Sequence, residues 1–411
     1  MKVLIVTFFH VPWVPRDANG IQRRFSLFMK ALGEIAREIT LLHVVPESQI
    51  AAAGPIEALS RSQSEFWGVP LRIALAPRRS RPQTMWTHYG AGILAAGGQP
   101  GLFPYGGPAT AGPVAAELDR RPDLVFAQGL PAMTTLLAAG RPLPPVALDM
   151  VDVEHRVLLR RSASRPLRPG RVAEALQAPA LAAFERRAVA ASALTFVCSE
   201  RERRHLRLLG AGDRVRAVPN TVALPAEPPG VPSEPTLLLL GDMQYPPNRD
   251  AAERMARAIF PLVRRAAPGA VLRIGGLASR ELPSAALGLP GVEHLGFVDD
   301  LDALYAATRV VVCPIATGGG TRLKLVEAAG YARPMVSTRI GAEGLDLADG
   351  AEALLRDDDR GFAEACVRLL GDDALCRSLG AAARRRMQAE YDPEVLRGRV
   401  AGMLRALVPT P

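Results

Sequence analysis

Short apolar runs, each about the length of a strand, alternate with longer segments of helical spacing along most of this 411-residue chain. Val3–Thr7, Ile39–Val45, Leu124–Ala127, Pro145–Leu148, Ala193–Cys198 and Val215–Val218 form a first series, with helices expected over 21–32, 172–191 and 200–208. Strands that are apolar throughout, rather than at every second residue, are buried on both faces, as in a parallel sheet covered by helices. The twelve residues from Leu224 to Pro235 then carry five prolines, an extended connector that neither a helix nor a central strand accommodates. After it the alternation restarts, with strands expected at Thr236–Leu240, Val271–Ile274, Val292–Phe297, Val310–Cys313, Met335–Ser337 and Ala353–Leu355. The intervening helices are expected over 250–267, 301–307, 322–331, 361–370 and 374–389. The pattern predicts an α/β chain of two doubly wound domains, 1–228 and 229–392, joined by a hinge, with a last helix over 393–408 returning to the first domain. Residues 46–115, rich in Gly, Ala and Pro around Gly90–Gly112, are expected to form long loops. Doubly wound sheets take ligands at the carboxyl ends of their strands.

Composition narrows the function classes. Hydrophobic residues at 48% and charged residues at 22% exclude a mostly disordered chain. No run of 18 apolar residues occurs, and Met1–Thr7, which has no small-residue cleavage site after it, reads as a buried first strand rather than a signal peptide. The four cysteines (Cys198, Cys313, Cys366, Cys376) are far apart, so no disulfide framework or zinc site is expected and a reducing cytoplasm fits. Charge is uneven: residues 1–228 hold 28 basic and 18 acidic residues, net +10, whereas 229–411 are net −1. The first half therefore suits an anionic partner, a phosphate or a membrane surface. Its arginines are not interleaved with aromatic residues, so nucleic acid is not expected.

The densest motif is Pro314-Ile-Ala-Thr-Gly-Gly-Gly-Thr-Arg-Leu-Lys-Leu-Val-Glu327. A buried strand ends at Cys313–Pro314, three glycines follow (Gly318, Gly319, Gly320), and a helix is expected from near Thr321. Glycines let a backbone approach a ligand closely, and a helix start offers unpaired N–H groups and partial positive charge. Arg322 and Lys324 add cations where the helix dipole disfavours them, a conflict that a bound diphosphate removes. Glu327, three residues beyond Lys324, is placed to accept hydrogen bonds from a ribose diol. A plain glycine turn with a Lys324–Glu327 surface pair remains the alternative. The spacing is neither the P-loop nor the dinucleotide fingerprint.

The second half resembles the retaining glycosyltransferases of family 4, in the branch whose first loop reads Gly-x-Met-x-x-x-Pro-Asn. The residues that carry the resemblance are Gly241-Asp-Met-Gln-Tyr-Pro-Pro-Asn248, Phe260-Pro-Leu-Val263, Pro268-Gly-Ala-Val-Leu-Arg-Ile-Gly-Gly276, Gly291-Val-Glu-His-Leu-Gly-Phe-Val-Asp-Asp300 and Tyr305. They continue with Gly318-Gly-Gly-Thr-Arg-Leu-Lys-Leu-Val-Glu-Ala328, Arg333-Pro-Met-Val-Ser-Thr338 and Gly341-Ala-Glu-Gly344, in register over about residues 236–390. The first half is similar only in outline.

The resemblance implies a GT-B fold, two Rossmann-like domains facing a central cleft. It further implies a nucleoside-diphosphate sugar held by the C-terminal domain, retention of configuration, and no metal or other cofactor. Glu327 matches the last Glu of the family's Glu-x7-Glu pair, while Gly319 stands where the first is usual. That substitution shifts recognition toward the amides of Gly318, Gly319, Gly320 and Thr321. Relatives place an Arg and a Lys on the first donor-domain loop; this chain has Gly241, Asn248 and Arg249 there, so Arg322 and Lys324 are the expected substitutes. A metal-free transfer needs a cation to offset charge on the leaving diphosphate.

In the first half, Gly20 with Arg23 or Arg24 loosely matches the family's phosphate-facing loop, and an ordinary helix cap by Asn19 is the alternative. Asp149-Met-Val-Asp152 and His155 follow a buried strand where relatives carry a His near the reacting sugar. Asp149 or Asp152 would bind or deprotonate the acceptor hydroxyl, or satisfy loop N–H groups instead. Residues 156–171 hold six arginines and no acid. Arg160, Arg161 and Arg165 are thus expected to face an acceptor's lipid phosphate or an anionic membrane face, with a solvated loop as the alternative. Glu343 is either a second pocket acid or a turn residue. Asp299 and Asp300 are expected to cap the helix at Leu301, and His294 to pack on its strand.

The expected function is transfer of a sugar from a nucleoside-diphosphate sugar to a glycan or lipid-linked acceptor in cell-envelope or exopolysaccharide synthesis. It would take place in the cytoplasm, at the inner membrane face if lipid-linked. A sugar-nucleotide epimerase or phosphorylase on the same fold, and a non-catalytic sugar-nucleotide-binding protein, are the alternatives.

Overall fold

The computed structural model describes residues 1–9, 20–78, 107–163, 175–222, 224–282, 288–317 and 321–408. Its contacts divide the chain into Met1–Asn220 with Glu394–Pro411, and Thr221–Pro393.

Among the described residues, the first unit is built on seven parallel strands in the order β3-β2-β1-β4-β5-β6-β7. These are β1 (Lys2–Thr7), β2 (Glu38–Val45), β3 (Leu71–Pro77), β4 (Leu124–Gln128), β5 (Val146–Asp149), β6 (Leu194–Val197) and β7 (Val215–Ala217). Every residue of β4, β5 and β6 is buried, as expected for central strands covered on both faces. One face packs Leu4, Val6, Val125 and Leu148 beneath the helices Leu130–Ala138 and Ala178–Ala191. The other packs Val3, Ile5, Phe126 and Phe196 against Phe28 of the helix Gly20–Gly33. That second face is completed by Leu396, Val400 and Leu404 of the last helix, Pro393–Arg405.

The second unit repeats the plan with, among the described residues, six parallel strands, β10-β9-β8-β11-β12-β13. They are β8 (Thr236–Leu240), β9 (Val271–Gly275), β10 (Val292–Gly296), β11 (Val310–Cys313), β12 (Met335–Ser337) and β13 (Leu354–Leu355). Successive side chains serve opposite faces: Leu237, Leu239, Val310 and Val312 enter one core, Leu238, Val311 and Cys313 the other.

Three differences from the sequence reading have physical causes. Residues 46–115 are not all loop: helices Glu47–Ala52, Ile56–Trp67 and Ala111–Leu118 and strand β3 occur there, while residues 79–106 lie outside the described set. Among the described residues strand β3 pairs only with β2, so it is an edge strand there with half-buried positions such as Arg72 and Ala74, and lacks the fully apolar signature. The helix expected over 250–267 divides into Pro246–Arg254, a wider turn at Met255–Ile259 and Phe260–Ala266, because Pro261 has no N–H to continue the ladder.

The third difference concerns the connector. The contacts divide the chain at Asn220–Thr221, ahead of position 228, and the proline segment is bound along the second unit. Arg384 donates to the carbonyls of Pro225 at 2.6 Å and Ala226 at 3.0 Å, Arg333 to Pro229 at 2.7 Å, and Arg309 to Pro232 at 2.9 Å. Proline-rich chain has few N–H groups but keeps all its carbonyls, and guanidinium donors satisfy them.

Candidate functional site

In each sheet the strand order reverses beside the first strand, at β1/β4 and at β8/β11, and the carboxyl ends of strands at such a reversal frame a ligand crevice. In the second unit, β8 leads through Gly241 to the helix Pro246–Arg254, and β11 leads through Pro314 to the helix Leu323–Gly330.

These two connections meet. Lys324 Nζ donates to Asn248 Oδ1 at 2.9 Å, and Asn248 Nδ2 donates to the Asp242 carbonyl at 2.9 Å. Gly241 lies against the pair: a Cβ there would sit 2.9 Å from both Lys324 Nζ and Asn248 Nδ2. Gly276 closes the far side, with φ +114° and room for no Cβ beside the Gly241 carbonyl. Lys324 is only 8% exposed. Burial lowers its pKa, and nearby Arg322 lowers it further against the opposing effects of Cys313 and Glu327. A bound anion would favour the charged ammonium and oppose this lowering.

Arg322 occupies the N-cap position of the helix Leu323–Gly330, 7% exposed, and no acidic side chain lies in the first turn. One turn on, Glu327 accepts a hydrogen bond from the Tyr305 hydroxyl at 2.9 Å. The expected alternative, a Lys324–Glu327 surface pair, is absent among the described residues: both side chains are buried, and they bond to Asn248 and Tyr305 instead. Gly318, Gly319 and Gly320 lie outside the described residues; Thr321 is described and 9% exposed. Asp300 caps the helix at Leu301 through Ala303 N at 2.9 Å, as expected, and His294 Nδ1 meets the Ser279 carbonyl at 3.0 Å. Glu343 is half-buried in a turn.

In the first unit, Gly20 opens its helix, and Arg24 one turn later is 1% exposed. Arg24 Nε donates to Asp149 Oδ1 at 2.7 Å, and Nη1 donates to the Val218 carbonyl at 2.6 Å. Burial opposes the charge on Arg24, but Asp149 and the other acids around it outweigh burial and hold the guanidinium protonated. Asp149 is 0% exposed. The Oδ1 oxygen of Asp149 is engaged by Arg24, and the carboxylate is closed to solvent.

Asp152 is half-buried on the next loop. Between them Val151 adopts φ 63°, a left-handed conformation that costs a β-branched residue free energy. His155 donates its backbone N–H to Glu185 at 3.0 Å, and its Nδ1 meets the other Glu185 oxygen. His155 Nε2 lies 2.9 Å from His205 Nε2. Arg160 is half-buried, whereas Arg165 and the side chain of Arg161 lie outside the described residues.

Sequence reasoning missed Tyr305 as a partner of Glu327, and Glu185 and His205 as partners of His155. Each is remote in the chain from what it touches, so no local spacing announces it. Among the described residues no group of three or more His, Cys, Asp or Glu is arranged to hold a metal, and no helix is long and apolar enough to cross a membrane.

Residues 234–372 match the family model described as glycosyl transferases group 1. No curated protein matches the chain by sequence. Among solved structures, sucrose-phosphate synthase from Thermosynechococcus elongatus is similar at TM-score 0.68 and 16% identity, over 99% of this chain and 98% of that one. A TarM variant from S. aureus, solved with Fondaparinux, alpha-GlcNAc-glycerol and UDP, gives TM-score 0.66 and 10% identity over 98% and 99%. Anabaena HepE, solved with UDP and glucose, gives 0.61 and 13% over 99% and 100%. The second unit thus matches a group 1 glycosyl transferase domain, and the chain's two parallel-sheet units share the GT-B fold of these structures.

Proposed function

We propose that the protein transfers a sugar from a nucleoside-diphosphate sugar to an acceptor hydroxyl, with retention and without a metal cofactor. The observation that carries this reading is the Lys324 ammonium, held at the β8/β11 reversal against Gly241 and Asn248 with Arg322 at the adjoining helix start. Two cations beside a helix N-terminus grip a diphosphate and offset the charge that develops as it leaves. The amides of Gly318, Gly319, Gly320 and Thr321 are assigned to the same diphosphate, and Glu327 to the ribose diol. HepE structures contain UDP-glucose or UDP, which supports a nucleotide-sugar donor for this chain.

In this reading the acceptor oxygen bonds to the anomeric carbon on the face that the diphosphate leaves. The carbon–phosphate oxygen bond breaks, and the hydroxyl proton passes to a leaving phosphate oxygen. Asp149 holds the end of β5 through Arg24, and Asp152 is the acid left to orient the acceptor. The arginines Arg160, Arg161 and Arg165 are assigned to a phosphate-bearing or lipid-linked acceptor, which would place the enzyme at the inner membrane face in cell-envelope or exopolysaccharide synthesis.

A thermal-shift screen of UDP, GDP, ADP and their sugars tests the donor reading. One nucleotide family is expected to stabilise the wild-type protein and to lose that effect in Lys324→Ala. Equal stabilisation of a folded Lys324→Ala protein removes the diphosphate assignment.

A further inference from the structure

Glu327 stands one helical turn from the ends of the strands, and a carboxylate there is useful only in one rotation about its last torsion. That torsion is intrinsically soft. Something must fix it, and the structure shows what does. The Tyr305 hydroxyl, from the helix Leu301–Ala306, donates to Glu327 Oε2 at 2.9 Å, and Tyr305 is itself 0% exposed. Its ring is stacked on Tyr331, with centroids 4.5 Å apart and planes 11° from parallel. Tyr331, the residue that ends the helix bearing Glu327, donates its hydroxyl to Asp302, which lies on the same helix as Tyr305. The two helices are thus tied three times, once ring against ring and once in each direction from hydroxyl to carboxylate.

We infer that Tyr305 is a positioning residue for Glu327, locking its carboxylate in the rotation that receives a ribose diol, with Tyr331 and Asp302 locking Tyr305 in turn. The inference rests on the proposed role of Glu327. An ionised carboxylate accepts about four hydrogen bonds, so accepting one from Tyr305 is compatible with accepting from a diol. The consequence is selectivity: the site favours ribonucleotides over nucleotides lacking the 2′- and 3′-hydroxyls, and Tyr305 sharpens that choice without touching the ligand.

The test is calorimetric titration of the full chain with UDP, GDP and ADP, each beside its 2′,3′-dideoxy counterpart. Tyr305→Phe keeps the ring stack and removes only the donor. It is expected to weaken the ribonucleotide about five- to tenfold while leaving the dideoxy nucleotide within about twofold. A loss shared equally by both nucleotides, or no loss, overturns the inference. Glu327→Gln separates this failure from failure of the donor reading. If the wild type has no ribose preference, or Glu327→Gln leaves it intact, the ribose assignment falls. If Glu327→Gln abolishes it and Tyr305→Phe does not touch it, only the role of Tyr305 falls. Tyr331→Phe, a milder change, is expected to give a smaller loss of the same kind. Should Tyr305→Phe not fold, an unchanged ribose preference in Tyr331→Phe overturns the inference.

Discussion

Lys324 Nζ and Asn248 Oδ1, 76 residues apart in sequence, are joined by a 2.9 Å hydrogen bond that ties the connection after β11 to the connection after β8. The bond fixes where an otherwise long and mobile side chain places its charge. Removing that charge in Lys324→Ala is expected to weaken nucleoside-diphosphate binding by about 1.5–3 kcal/mol, as for a hydrogen bond to a charged group. Asn248→Ala keeps the charge and loses the tether, so its effect is expected to be smaller and of the same sign. Titration calorimetry on both variants checks the order.

The same lysine sets a pH dependence. Burial, with Arg322 next among the opposing charges, holds the Lys324 pKa below its ordinary value. Diphosphate affinity is therefore expected to fall at a pH below the usual lysine range. The folding contribution has the opposite slope: between the depressed folded pKa and the ordinary value the unfolded chain binds more protons, so stability rises with pH there. Both slopes are expected to vanish in Lys324→Met, measured by titration and by denaturant melts across alkaline pH.

Gly241→Ala is a steric test of the site. The added methyl carbon would stand 2.9 Å from Lys324 Nζ and from Asn248 Nδ2. The lysine end is flexible and can withdraw, so the protein is expected to stay folded. Its nucleotide affinity is expected to fall about tenfold, a loss of about 1.4 kcal/mol. A thermal melt alongside the titration separates the two effects.

Much of the second unit is legible in its sequence because β8 and β11 are apolar at nearly every position and the glycine and cation motif follows a strand end directly. The first unit is less so. Strand β3 carries Arg72 at a half-buried edge position, and edge burial dilutes the apolar signal. The connector arginines were illegible for another reason. Arg309, Arg333 and Arg384 bond to backbone carbonyls, groups that every residue carries, so their partners leave no mark in the sequence. At the site, Lys324 and Asn248 each lie in a readable motif, but that the two motifs touch follows only from strand order, since β8 and β11 are neighbours while β9 and β10 lie beyond β8.

Arg24 and Asp149 form a buried ion pair, 1% and 0% exposed. Truncating either partner leaves the other charge buried without compensation, and Arg24→Ala or Asp149→Ala is each expected to cost about 3–5 kcal/mol of folding stability. The double variant removes both charges and is expected to cost less than the two single losses added together. Urea denaturation of the four proteins gives the coupling.

Glu202 supplies a prediction near neutral pH. It lies at the carboxyl edge of the first sheet, accepting from Cys198 N at 3.1 Å and Ser199 Oγ at 3.2 Å. Burial, and then the nearby charge of Asp152, push its pKa from 4.5 up to about 7, against the opposing effects of Ser199, Arg24 and the Val153 amide. The folded protein therefore holds a proton that the unfolded chain releases between these two values. The stability contribution is fully present below about pH 4.5 and is lost as the pH rises through about 7, a loss on the order of 2–3 kcal/mol for such a shift. Glu202→Gln cannot titrate, so it is expected to flatten this part of the stability profile, while Glu200→Gln, at a more exposed neighbour, leaves it in place. Denaturant melts from pH 4 to pH 8 measure the slope, and a slope as steep in Glu202→Gln as in the wild type would assign it to another group.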